Sequence, residues 1–194
     1  MLHRDRHLRQ WQVTEHIAIQ AEEGARGVHD VGLVAGVGDA LHEQLEVRGV
    51  LEGLAAKTLA EQGLSEEQKK TLQHCIQETE KLFNETDEFG DAELERYHHF
   101  NVIFHDTIIE GAQNVALIQA LAKNNQLPMA SAQAITYDQN QALSEYRRLH
   151  YAHLQHCSIF DALVHRQAGR AETLMREHSS VVILGETLRN VLSA

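Results

Sequence analysis

A single proline, Pro128, and only two cysteines, Cys75 and Cys157, occur in 194 residues, and aromatic side chains make up 5% of them. With one proline and few aromatic or β-branched clusters there is little to punctuate or build strands, which points to an all-α chain. Two cysteines outside any CxxC pattern argue against a disulfide framework or a thiolate zinc site, and both read as reduced core thiols. Positive charge is short as well: 17 Lys and Arg stand against 28 Asp and Glu, a formal charge of −11. That balance opposes non-specific attachment to nucleic acid or anionic lipid. No apolar run approaches the roughly 18 residues of a spanning helix, and the opening "MLHRDRHLRQWQ" lacks the apolar centre of a signal peptide. A cytoplasmic protein without a membrane partner is expected.

What is present is helical periodicity. From about Leu41 onward apolar residues recur at helical spacing, and turn signals divide the run. The spacing predicts a first helix over 42–62, stopped by Gly63. Ser65 and Gln68 form a capping box for a second helix that fades near Asn84. A third runs from about Asp91 to Gly111, and Asn114 caps a short fourth that ends before Pro128. After the polar "SAQAITYDQNQ" a long fifth helix reaches about Arg166, and Gly169 turns the chain into a sixth that ends near Leu192. Short connections between long helices imply an antiparallel bundle of six or seven helices.

Residues 1–40 differ from this region, 41–194. Five of the twelve glycines lie between Gly24 and Gly38, and neither helical nor alternating period persists there. "GLVAGVG" lacks the order of a dinucleotide fingerprint and the Lys-Ser/Thr of a phosphate loop. The segment reads as an unpatterned lead.

The chemistry lies in the fourteen histidines. Those of the lead, with His42, lie in or beside unpatterned sequence, and His74 and His165 read as solvated helix positions. On the third helix Leu94, Tyr97, Asn101, Phe104 and Ile108 share a stripe, and His105 follows Asn101 by one turn, about 40° around the axis. On the fifth helix His156 lies among Leu149, Ala152, Ile159, Phe160 and Leu163, with His153 a turn before it. On the sixth, His178 lies among Ala171, Leu174, Met175, Val181 and Val182. Three helices therefore each aim a histidine inward. A lone core histidine is usually satisfied by a hydrogen bond, but three that converge suit a divalent metal, with Asn101 offering an oxygen.

Those residues carry a resemblance. From about Glu46 to Leu192 the chain resembles the effector-binding C-terminal (FCD) domain of the FadR subfamily of GntR transcriptional regulators, through "EVRGVLEGLAAKTLA", "NVIFHDTIIEGAQN", "QHCSIFDAL" and "AETLMREH". The resemblance implies a dimeric helical bundle. It also implies a divalent metal held by an Asp-x-x-x-His pair and two later histidines, which fall on Asn101, His105, His156 and His178. Zinc is the expected ion, with nickel and manganese as alternatives. A small carboxylate effector would bind beside it, with Arg48 lining the pocket; Asn114, read first as a helix cap, is a further candidate effector contact. The alternative for Arg48 is a surface ion pair with Glu52, one turn on.

Two departures from the family pattern stand out. Asn101 replaces an aspartate, which removes an anionic ligand. Nothing before Leu41 resembles a winged helix, and residues 1–40 hold only four basic side chains, Arg4, Arg6, Arg9 and Arg26. The lead is expected to be an aberrant frame or false start, and operator DNA to be a partner only where a winged helix is restored. No catalysis is expected. A rival reading takes His105-Asp106 as the dyad of a metal-dependent, HD-type helical phosphohydrolase, although neighbouring helical residues diverge by about 100°. A third takes the chain as a purely structural dimerisation domain. A single Glu-x-x-His, Glu95 to His98, falls short of a di-iron bundle.

Overall fold

The computed structural model describes residues 34–86, 89–126 and 142–181. They form six helices: α1 Val34–Gln62, α2 Glu66–Glu85, α3 Asp91–Gly111, α4 Val115–Asn124, α5 Ala142–Val164 and α6 Ala168–His178. No strand occurs among the described residues, so the fold is all-α. The chain divides into two compact units, Met1–Asp39 and Ala40–Ala194. The helices from α2 onward lie in the second.

The helix ends follow from local chemistry. Gly63 stops α1 with a φ of 87°, a left-handed conformation that a residue without Cβ adopts freely, and its N–H donates to the Leu59 carbonyl at 2.8 Å. Two residues later Ser65 opens α2. Its hydroxyl accepts from the Gln68 N–H at 3.1 Å, while its own N–H donates to Gln68 Oε1 at 2.8 Å. That reciprocal pair satisfies two amides that a helix start would leave bare. Asn114 caps α4 in the simpler way, its oxygen accepting from the Leu117 N–H at 3.1 Å.

Two boundaries differ from the sequence reading: α6 closes at His178, where Ser179 is the C-cap, short of the end expected near Leu192, and α1 starts earlier than expected. Helix α1 begins at Val34, not near residue 42, and takes in Gly36 and Gly38. Each glycine costs about 1 kcal/mol relative to alanine, but lengthening an existing helix requires no new nucleus. Residues 1–33 of the lead, the "SAQAITYDQNQ" stretch and the chain after Val181 lie outside the described residues.

Helix α2 packs on α3 and α5, and α5 packs on α6. The main core takes Leu59 from α1, Leu72 from α2, Ile108 from α3, Leu121 from α4, Ile159 from α5 and Met175 from α6. Each such side chain contributes roughly 1.5–3 kcal/mol by leaving water. A second cluster of Leu82, Phe83, Phe89, Tyr97 and Leu149 ties α2, α3 and α5 together, with Phe83 stacked on Phe89 at 5.0 Å between ring centres. Both cysteines are free thiols, and burial pushes the Cys75 thiol up to about 11. No described helix is long and apolar enough to cross a membrane.

Candidate metal centre

Four helices bring polar side chains into the apolar interior. Arg48 and Glu52 come from α1, Asn101 and His105 from α3, Gln155 and His156 from α5, and His178 from α6, and all seven are buried. The approach of α6 to α1 depends on glycine. A Cβ on Gly49 would overlap Ser179 Oγ and lie 3.1 Å from the Arg176 carbonyl oxygen. Only a bare Cα lets the end of α6, and with it His178, sit against the α1 face that bears Arg48 and Glu52.

One ring nitrogen from each of His105, His156 and His178 lies within 4.8 Å of the other two. The Nε2 atoms of His156 and His178 are 2.9 Å apart. Zinc bound to imidazole at about 2.0–2.1 Å in a tetrahedron sets its nitrogens about 3.4 Å from one another, longer than the 2.9 Å between His156 and His178 and inside the 4.8 Å that encloses all three. Phe104 stacks on the His156 ring at 4.3 Å between centres, which fixes the plane of that imidazole from below.

A second layer of hydrogen bonds determines which nitrogens face inward. Glu52 Oε2 lies 2.9 Å from His105 Nδ1. A carboxylate of this kind only accepts, so Nδ1 carries the proton and Nε2 is left as a bare acceptor. That Nε2 is buried and has no hydrogen-bond partner. An unsatisfied buried acceptor costs roughly 1–3 kcal/mol, a cost that a bound cation would remove. The Gln155 side-chain carbonyl accepts from His178 Nδ1 at 2.9 Å, turning the second bare nitrogen toward the same point. The donor set fits a divalent metal: three imidazoles, two of them oriented by the outer acceptors that metal-bound histidines use.

Charge agrees with this. Burial, reinforced by the neighbouring rings and Arg48, holds the His156 imidazole well below its ordinary value. Burial does the same for His178, with His105 and Arg48 adding to it. Neutral imidazole is the form that binds metal. For Glu52, burial alone would push the carboxyl up, but Arg48 and His105 together outweigh it and hold it well below the usual carboxylate range.

Arg48 Nε donates to Glu52 Oε1 at 2.8 Å. The alternative reading of Arg48 put this pair on the surface, yet its side chains are 4% and 3% exposed. The i, i+4 spacing is as expected; what periodicity along α1 did not reveal is that this turn faces the three rings. Asn101 is buried one turn before His105. Asn114 is exposed and its oxygen caps α4. Asp106 is exposed and lies outside the histidine cluster, so the adjacent pair His105-Asp106 diverges as helical geometry requires. His153 is fully buried but separate: its Nε2 lies 2.8 Å from Glu80 Oε2 and its ring stacks on Phe83.

Two participants escaped the sequence reading. Glu52 was legible as a partner of Arg48 by spacing, but not as the acceptor for His105, 53 positions away. Gln155 carried no signal at all, since a glutamine beside a stripe histidine is ordinary helix surface.

Residues 43–180 match the family model described as the FCD domain. No curated protein matches the chain.

Proposed function

The chain belongs to the FCD domain family, the ligand-sensing regulatory domains of GntR-type regulators, and from that premise we propose that it senses a small carboxylate beside a divalent metal, as the dimeric, non-catalytic effector domain of a FadR-subfamily regulator. The observation that carries this reading is the convergence of three buried imidazoles, within 4.8 Å of one another, around the unpartnered Nε2 of His105.

In this reading His105, His156 and His178 hold the ion, and Asn101 supplies the neutral oxygen that replaces the family's aspartate. Bound there, the ion contributes positive charge that draws a carboxylate. Three imidazoles suit zinc or nickel better than manganese, which prefers oxygen. Arg48 is the anion's second anchor, its planar guanidinium matching a carboxylate. With Arg48 and Glu52 opposed in sign and the other groups neutral, nothing in this set cancels the charge of the ion. The reading is non-catalytic: Asp106, the acid that an HD-type hydrolase would need, is exposed and lies outside the histidine cluster.

Dimerisation belongs to the same reading. Val47, Val50 and Leu54 are 47%, 44% and 40% exposed, and their spacing places them on one face of α1, an apolar stripe of the kind that protein interfaces cover. A cytoplasmic location fits a regulator. With a formal charge of −11, operator contact in this reading belongs to a winged helix and not to this bundle.

The test is direct. Protein stripped with chelator and then titrated with zinc is expected to take up one ion per chain by elemental analysis, and to melt at a higher temperature when loaded. Failure to bind zinc, nickel or manganese after reconstitution would overturn the reading.

A further inference from the structure

The Glu52 carboxylate uses both of its oxygens, and each serves a different half of the site. Oε1 accepts from Arg48 Nε at 2.8 Å, and Oε2 accepts from His105 Nδ1 at 2.9 Å. All three residues are at most 3% exposed, so water does not stand in for any of them. We propose that Glu52 is a positioning residue that links the two ligands of the site, one carboxylate being shared between the guanidinium that anchors the anion and the ring that holds the metal. This rests on the reading of Arg48 as anion anchor and His105 as metal ligand.

The two halves respond to Glu52 with opposite sign. Toward the metal, the carboxylate fixes the His105 proton on Nδ1, aims Nε2 inward and raises its basicity. Outer partners of this type are worth about 10–100-fold in metal affinity. Toward the anion, the same carboxylate is an internal competitor, already seated on the Arg48 guanidinium and cancelling its charge. An incoming carboxylate must share or displace that contact. Once it does, Glu52 is released from Arg48 and accepts more strongly from His105, so anion and metal support each other through a single side chain. Linkage then requires the reciprocal effect, with metal tightening the anion by the same factor. An ordinary buried ion pair predicts something else: losing it would loosen the bundle and weaken both ligands together.

Glu52→Gln separates these outcomes, because the side chain keeps its shape and loses its charge. With full-length, chelator-treated protein, zinc alone and succinate alone serve as probes in calorimetry. The variant is expected to bind zinc about 10–100-fold more weakly and to bind succinate in the absence of metal several-fold more tightly than wild type. Succinate binding detected only in the variant is the same result carried further. Unchanged zinc affinity, or weakening of both ligands in a variant with native helix content, overturns the linkage. A wild type that takes up no zinc fails earlier and overturns the proposed function itself, so the two failures are distinct. Should the variant not fold, imidazole nitrogen resonances of metal-free wild type decide: His105 protonated on Nδ1 with a bare Nε2 is expected, and a proton on Nε2 instead of Nδ1 overturns the assignment.

Discussion

His156 and His178 meet Nε2 to Nε2 across 2.9 Å, and only one of the two atoms can carry a proton. Gln155 settles which one. Its carbonyl accepts a hydrogen bond from His178 Nδ1–H, so His178 Nε2 is the acceptor and His156 Nε2 the donor. Gln155→Leu removes the group that orients His178. Zinc affinity is expected to fall about 10–100-fold while the far-ultraviolet dichroism stays helical; a variant that binds zinc as wild type does would refute the orienting role.

Alanine at His105, His156 or His178 should each remove most of the metal. Ion bound only to the native state stabilises it by about 2.7 kcal/mol at a hundredfold excess over its dissociation constant. Chelator should therefore lower the melting temperature of wild type and leave the triple alanine variant unmoved.

Asn101→Asp restores a negative ligand one turn before His105. Zinc should bind more tightly and succinate to the loaded protein more weakly, because the added charge offsets part of the ion's field. Paired titrations check both signs, and a change in the same direction for the two ligands counts against Asn101 facing the ion.

Acid should destabilise the metal-free protein earlier than its carboxylates alone would dictate. His156 and His178 are held well below the ordinary imidazole range, chiefly by burial. Between about pH 6.5 and their lowered native values the unfolded chain binds protons that the native state refuses, so stability falls as pH falls through that window. Urea midpoints at pH 7.5 and 5.5 measure the slope, which His156→Gln should flatten.

Asn114→Ala tests a cap against an effector contact. Its oxygen is already committed to the Leu117 N–H, so about 1 kcal/mol of stability should be lost. Succinate affinity should not change. A loss of succinate binding with an unaltered melt would assign Asn114 to the ligand.

Gly49→Ala should cost about 1–3 kcal/mol through overpacking, since the new methyl would overlap Ser179 Oγ. Zinc affinity should fall with it, because the displaced turn of α6 carries His178. Thermal melts and zinc titration of the same preparation show whether the two losses go together.

The sequence by itself determined the class of the fold, most helix boundaries and the identity of the converging rings. Its signals are local: Gly63 at a left-handed stop, Ser65 and Gln68 three residues apart, His105, His156 and His178 each on the inner stripe of its own helix. Helical periodicity states which way a side chain points from its own axis. It does not state at what height along the bundle that side chain arrives, or what meets it there. Tertiary packing decided that the three rings meet, that the Arg48–Glu52 pair is buried among them, and that Glu52 and Gln155 hold two of the imidazoles with bare nitrogens inward. The contacts responsible join residues 53 and 23 positions apart, beyond the reach of any local pattern. Each is set by the packing of two helix surfaces and not by either helix alone.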